Sequence, residues 1–151
     1  MEKSAILVRD MLAAAANQVV SIAADSHLVD AARLLVTGTD ILIVCNREGI
    51  LQGVVTKTDI VRQMSLRERA ACDGQIATVM SCDVVLCRDT DLLYDVSSKM
   101  KERHLKNIPV VDGNNRPIAV LTARAVLRAL LGDAEYLEAQ LIDYVEGVGY
   151  R

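Results

Sequence analysis

Apolar and polar positions fall in blocks that read as short strands and helices, and the same order of blocks occurs twice. Val19-Val20-Ser21-Ile22 is a strand-like run, followed by Asp25-Ser26, residue types that favour a helix start. Leu28, Ala31, Ala32, Leu35 and Val36 then recur at helical spacing. Ile41-Leu42-Ile43-Val44-Cys45 is a continuous apolar run of the kind a buried strand shows. Asn46-Arg47-Glu48-Gly49 reads as a turn, and Ile50-Leu51-Gln52-Gly53-Val54-Val55 as the returning strand of a hairpin. Thr56-Lys57-Thr58-Asp59 opens a further helix through Ile60, Val61 and Met64.

The second half runs the same way. Val84-Val85-Leu86-Cys87 is the strand, and Asp89-Thr90 precedes a helix carrying Leu92, Leu93, Val96 and Met100. Ile108-Pro109-Val110-Val111 is the next strand, Asp112-Gly113-Asn114-Asn115 a turn, and Ile118-Ala119-Val120-Leu121 the hairpin partner. Thr122-Ala123-Arg124-Ala125 opens the last helix of the unit. Leu28 aligns with Leu92 at an offset of 64 and Thr56 with Thr122 at 66, which puts two extra residues before Pro109.

Two copies of one β-α-β-β-α unit make this an α/β (α+β) chain. Each unit is too small to bury both faces of its sheet, so the two sheets are expected to pack on one another with helices outside. Residues 1–70 then hold the first copy and 71–132 the second. Short linker helices are expected at Asp10-Met11-Leu12 and Thr78-Val79-Met80. The charged, alanine-rich stretch Ser65–Ala77 is expected to be exposed and helical in part. In the tail, 133–151, Leu137, Leu141, Tyr144 and Val145 have helical spacing ended by Gly147-Val148-Gly149. That helix either packs on its own chain or reaches a second subunit.

Composition narrows the function. The 151 residues are 52% apolar and 25% charged, a folding composition. With no Phe, no Trp and four Tyr, the core must be aliphatic, and an aromatic platform for sugars or single-stranded nucleic acid is disfavoured. A net charge of -3 also makes nucleic acid an unlikely partner. No apolar run is long enough for a signal core or a membrane span, so a cytoplasmic protein is expected. Cys45, Cys72, Cys82 and Cys87 form no Cys-x-x-Cys pair, and His27 and His104 lie far from them, so no metal site is expected. Cys45 and Cys87 sit in aliphatic runs and read as small core residues. Nothing supplies a nucleophile with a base and an orienting group, so no catalysis is expected.

The best candidate for chemistry is Gly53-Val54-Val55-Thr56-Lys57-Thr58-Asp59-Ile60. It sets a hydroxyl, a lysine and a carboxylate around a helix N-terminus, whose free backbone N–H groups attract anions. Asp59 suits the two hydroxyls of a ribose. Thr-x-x-Asp is equally a capping box, in which Thr56 and Asp59 satisfy backbone N–H groups reciprocally.

These motifs in a duplicated unit resemble a tandem pair of cystathionine-β-synthase (CBS) domains, a Bateman module, over roughly Val8 to Leu131. The first copy carries the family's apolar-Gly-apolar-apolar-Thr-x-x-Asp-apolar pattern as Gly53 to Ile60, and the second its apolar-Pro-Val-Val-Asp element as Ile108 to Asp112. The resemblance implies a regulatory adenine-nucleotide sensor that needs no cofactor and acts through an unknown partner or by self-association. Its other reading is an interaction module with a vestigial pocket. By resemblance, Asp59 holds ribose, Thr56 and Lys57 lie near phosphate, and Val20, Ser21 and Ile22 line the base. Lys106, Asn107 and Pro109, with Arg103 or His104, face the phosphate from the other copy. Thr122 keeps a helix cap in the second copy, and Arg124 either contacts phosphate or is solvated.

The second copy departs from the pattern, with Ala119 for the Gly and Ala125 for the Asp. One competent site is therefore expected. In the first copy Asp40 stands where Lys106 stands in the second, and an acid there opposes highly charged ligands. AMP or a dinucleotide is the expected ligand, with ADP, ATP, NAD and S-adenosylmethionine the other adenosine compounds the resemblance admits. It also implies a homodimer, for which Leu34, Leu35, Val126, Leu127, Leu130 and Leu131 offer apolar helix faces.

Overall fold

The computed structural model describes residues 6–12, 19–66, 74–132 and 141–142. The first repeat comprises β1 (Ser21–Ala23), α1 (Leu28–Val36), β2 (Ile41–Cys45), β3 (Leu51–Thr56) and α2 (Lys57–Leu66). The second comprises β4 (Cys87–Arg88), α3 (Leu93–Arg103), β5 (Asn107–Val111), β6 (Pro117–Thr122) and α4 (Ala123–Leu131). Each repeat forms its own three-stranded sheet, with its first strand parallel and its third antiparallel to the central one. The expected β-α-β-β-α duplication is present.

The central strands carry apolar side chains on both faces because both faces are covered. In β2, Leu42 and Val44 join the core beneath α1 and α2 with Leu28, Ala31, Leu35, Val55 and Ile60. Ile41 and Ile43, on the opposite face, pack with Val120 of the second sheet, and Val19, Cys45, Leu51 and Val54 pack against them. In β5, Ile108 and Val110 face α3 and α4, within a cluster that includes Leu93, Val96, Met100 and Leu130. The two sheets therefore meet face to face with helices outside. Of the residues expected on an association surface, Leu35, Val126 and Leu130 are core residues, while Leu127 and Leu131 remain exposed. Periodicity alone does not distinguish an inward stripe from an outward one.

The repeat register differs from the sequence alignment. Ile22 opposes Val44 in one sheet and Cys87 opposes Val110 in the other. The buried helix residues Leu28, Ala31 and Leu35 likewise correspond to Leu93, Val96 and Met100. The offset is thus 65 through the first strand and helix, and 66 from the central strand onward. One extra residue, not two, falls before Pro109. It lies at the end of α3, where His104 takes the left-handed conformation (φ 56°).

The expected strand Val84–Cys87 is reduced to Cys87–Arg88. In the first repeat the Ile43 N–H donates to the Val20 carbonyl at 2.9 Å. The matching residue in β5 is Pro109, which has no N–H to offer Val85. The second copy therefore cannot extend its first strand backward by that bond.

The linkers cross over between repeats. Val8 is fully buried in the second repeat's core and Ile76 in the first's. Each begins a short 3₁₀ turn, Val8–Met11 or Ile76–Thr78, which starts two residues before the linker helices expected at Asp10-Met11-Leu12 and Thr78-Val79-Met80. The Leu28 N–H donates to the Gly74 carbonyl at 2.8 Å, and the Leu93 N–H to the Ile6 carbonyl at 2.8 Å. Linker carbonyls therefore satisfy the first amides of α1 and α3, whose N-cap residues, His27 and Leu92, make no side-chain cap bond. The expected caps at Asp25-Ser26 and Asp89-Thr90 are not used in that way. Nor is Ser65–Ala77 exposed throughout, since Ile76 is buried; residues 67–73 of it lie outside the described residues. The helix expected in the tail also falls outside them, apart from the helical pair Leu141-Ile142.

Candidate functional site

A cavity of about 660 Å³ opens between the repeats, within the size range of small-molecule sites. From the first repeat it is lined by Asp40, Ile41, Val54 and the start of α2, Thr56 to Asp59. The crossing linker contributes Ser81, Asp83, Val84 and Val85. The second repeat contributes Arg103 to Asn107 and Pro109.

The start of α2 is a complete capping box. Asp59 Oδ2 accepts from the Thr56 N–H at 2.9 Å and from Thr56 Oγ1 at 3.1 Å, while the Asp59 N–H donates to Thr56 Oγ1 at 3.3 Å. Asp59 Oδ1 lies 3.6 Å from Arg62 Nη1, an exposed partner, and the Asp59 side chain is 14% exposed. A carboxylate offers about four lone-pair sites. The cap occupies Oδ2, so Oδ1 retains acceptor capacity at the cavity wall. The capping and ligand readings of Thr-x-x-Asp are therefore compatible.

Gly53 is set by close approach. The linker pairs with β3 through Val54 N–H to Ser81 O (3.0 Å) and Ser81 N–H to Val54 O (2.9 Å). A Cβ on Gly53 would sit 2.7 Å from the Ser81 carbonyl oxygen, so the linker could not stay where it is. The second copy has the buried Ala119 at the matching place in β6.

Lys57 Nζ lies 3.4 Å from Asp40 Oδ1 at the first-repeat wall. Opposite are Arg103, His104 and Lys106, delivered by the end of α3 and the start of β5. No ion pair engages Arg103 or Lys106 among the described residues. The cavity thus has a carboxylate able to take hydroxyls, aliphatic side chains able to cover a flat ring, and cations able to meet an anion.

Of the residues singled out in the sequence, Thr56, Lys57, Asp59, Lys106, Asn107 and Pro109 share this cavity, together with Arg103 and His104. Val20, Ser21 and Ile22 are not among its lining, and Ile22 belongs to the first repeat's core. Val84 and Val85 take that place, at the register equivalents of Val19 and Val20. An offset of 65 applied to the sequence would have found them. Thr122 caps α4, its Oγ1 accepting from the Ala125 N–H at 3.1 Å, and Arg124 is exposed on that helix; neither lines the cavity. Cys87 is a core residue whose thiol burial pushes up to about 12, with the nearby Asp91 charge adding to the rise. Among the described residues no cluster of His, Cys, Asp or Glu could hold a metal ion. No described helix is long and apolar enough to cross a membrane.

Sheet order, linker crossing and an inter-repeat cavity together define a tandem fold of two matched halves. A family model for the CBS domain matches residues 8–66 and again 76–132, so the chain belongs to the CBS domain family and carries a pair of such domains. The CBS domain-containing protein YhcV of Bacillus subtilis is 29% identical over 100 residues, 65% of this chain and 69% of that protein. A homoserine O-acetyltransferase from Methanocorpusculum labreanum is 32% identical over 109 residues, 70% of this chain and 21% of that protein. The chain spans about a quarter or less of the length of such longer relatives. The CBS domain pair of the protein MJ0100, solved in complex with 5′-methylthioadenosine and S-adenosyl-L-methionine, matches with a TM-score of 0.71 at 21% identity. That match covers 84% of this chain and 97% of that one.

Proposed function

We propose that this chain is a regulatory module that binds one adenosine-containing nucleotide between its two CBS repeats and catalyses no reaction. The observation that carries the reading is the cavity itself, which joins Asp59 of the first repeat to Arg103 and Lys106 of the second. Asp59 Oδ1 would accept the ribose hydroxyls, Val84 and Val85 would cover the base, and the cations would meet the phosphate. The absence of Phe and Trp leaves aliphatic contact and backbone hydrogen bonds to hold the adenine. AMP fits this lining, since Asp40 holds Lys57 and leaves Arg103 and Lys106 for a single phosphate.

A ligand touching both repeats favours the relative placement that brings its contacts together, and a partner or a second copy reads that placement. Val61 and Met64 on α2 and Leu127 and Leu131 on α4 are exposed and suit a homodimer contact. Reduced Cys45, Cys82 and Cys87 suit a cytoplasmic setting.

Thermal unfolding with AMP, ADP, ATP, NAD and S-adenosylmethionine tests the class. A ligand at a hundred times its Kd should add roughly 2.7 kcal/mol of stability. A clear rise in melting temperature with at least one compound is expected. No shift with any of them would support an interaction module with a vestigial pocket, the reading that Ala125 in place of the second aspartate favours.

A further inference from the structure

We propose that Asp40 sets the phosphate charge that the cavity accepts, favouring a nucleoside monophosphate over a triphosphate. This rests on the nucleotide reading above and adds its selectivity. Asp40 immediately precedes β2 and Lys106 immediately precedes β5, and the two strands share one register: Ile41 opposes Thr56, and Asn107 opposes Thr122. The repeat therefore places an acid and a base at equivalent positions, and both line the same cavity.

Asp40 acts in two ways. It brings its own negative charge, and its Oδ1 holds Lys57 Nζ at 3.4 Å, which offsets a cation at the start of α2. Arg103 and Lys106 remain to meet an anion, having no ion-pair partner among the described residues. Two cations match a phosphate monoester, which carries about −1.5 to −2 at neutral pH. Each further phosphate adds charge that Asp40 and Asp83, both on the cavity wall, oppose.

Calorimetric titration of AMP and ATP, at low salt and without divalent cation, into wild type, Asp40→Asn and Asp40→Lys tests the assignment. The Asp40 side chain is 73% exposed, so the variants should fold, and their melting curves check it. The ratio of ATP to AMP affinity should rise from wild type through Asp40→Asn to Asp40→Lys, by about tenfold over the series. The rise should shrink as salt is added. Nucleotide binding with an unchanged ratio in Asp40→Lys overturns the role of Asp40 and leaves the nucleotide reading standing. No binding of either nucleotide to wild type overturns the reading and this inference with it.

Discussion

Asp59 caps α2 with one oxygen and, on the proposed reading, offers the other to a ligand, because its two oxygens face different partners. Oδ2 closes the capping box on Thr56, and Oδ1 lies 3.6 Å from the exposed Arg62. The sequence showed the residue and both uses; which oxygen serves which is a matter of side-chain placement that a motif does not carry. Gly53 is the reverse case. Its motif position was legible, but its reason, the Ser81 carbonyl lying against it, depends on a linker segment that pairs with β3 at Val54. Gly53→Ala should lower stability by about 1–3 kcal/mol, since the added methyl must displace backbone and the Met80 side chain cannot absorb the clash alone. Urea unfolding measures this; a change within about 0.5 kcal/mol, the range of an ordinary surface substitution, would contradict the account.

The hairpins and the shortened β4 show how elements are set by single backbone groups. Pro109 removes the donor that Ile43 supplies in the first repeat, so β4 begins one register position later than β1, leaving out Leu86 as well as Val84 and Val85, which line the cavity. The apolar run Val84–Cys87 reads as a strand because local pattern does not record the missing partner bond across 24 residues. The turns, by contrast, were plain in sequence and are matched in detail. Asn46 Oδ1 accepts from the Glu48 and Ile50 N–H groups, and Asp112 Oδ1 from those of Asn114 and Arg116. One turn is held by a neutral amide and the other by a carboxylate. The bonds from Arg116 and Asn114 hold the Asp112 carboxyl below its usual 3.8. The folded state therefore binds fewer protons at this site than the unfolded chain. Its contribution is complete above the ordinary value and is lost as pH falls through the lowered folded value. Asp112→Asn, which copies the first turn without the charge, should flatten the acid side of the stability profile, lowering neutral stability slightly and converging with wild type in acid. Melting curves taken from neutral pH to below 3.8 would show it, and an acid slope equal to wild type would contradict it.

At the scale of the whole molecule, duplication explains the aliphatic composition. Two thin sheets of Val, Ile and Leu meet across Ile41, Ile43 and Val120, where aromatic side chains would hold them further apart. The turns meet as well: the Leu51 N–H donates to the Asn115 carbonyl at 2.9 Å, and Arg116 Nε to the Glu48 carbonyl at 3.1 Å. The repeat, its hairpin and the face-to-face packing followed from the apolar pattern, because burying both sides of a small sheet leaves few arrangements. The exchange of linkers did not follow, since nothing local in Ile6–Met11 or Gly74–Met80 tells which repeat will accept it. That exchange bears on the proposed function, because the linker brings Ser81, Asp83, Val84 and Val85 to the same cavity as Asp59 and Lys106, which neither repeat lines alone.

The central claim is that a nucleotide bridges the repeats through Asp59 on one side and Lys106 on the other. Isothermal titration of AMP into wild type, Asp59→Asn and Lys106→Ala tests it most directly, because Asn can keep the helix cap while removing the charge. One AMP per chain is predicted for wild type. Asp59→Asn should weaken binding by about tenfold to a hundredfold, the loss of a charge-assisted hydrogen bond. Lys106→Ala should weaken AMP while leaving adenosine, which has no phosphate, nearly unaffected. AMP affinity unchanged in both variants would contradict the account.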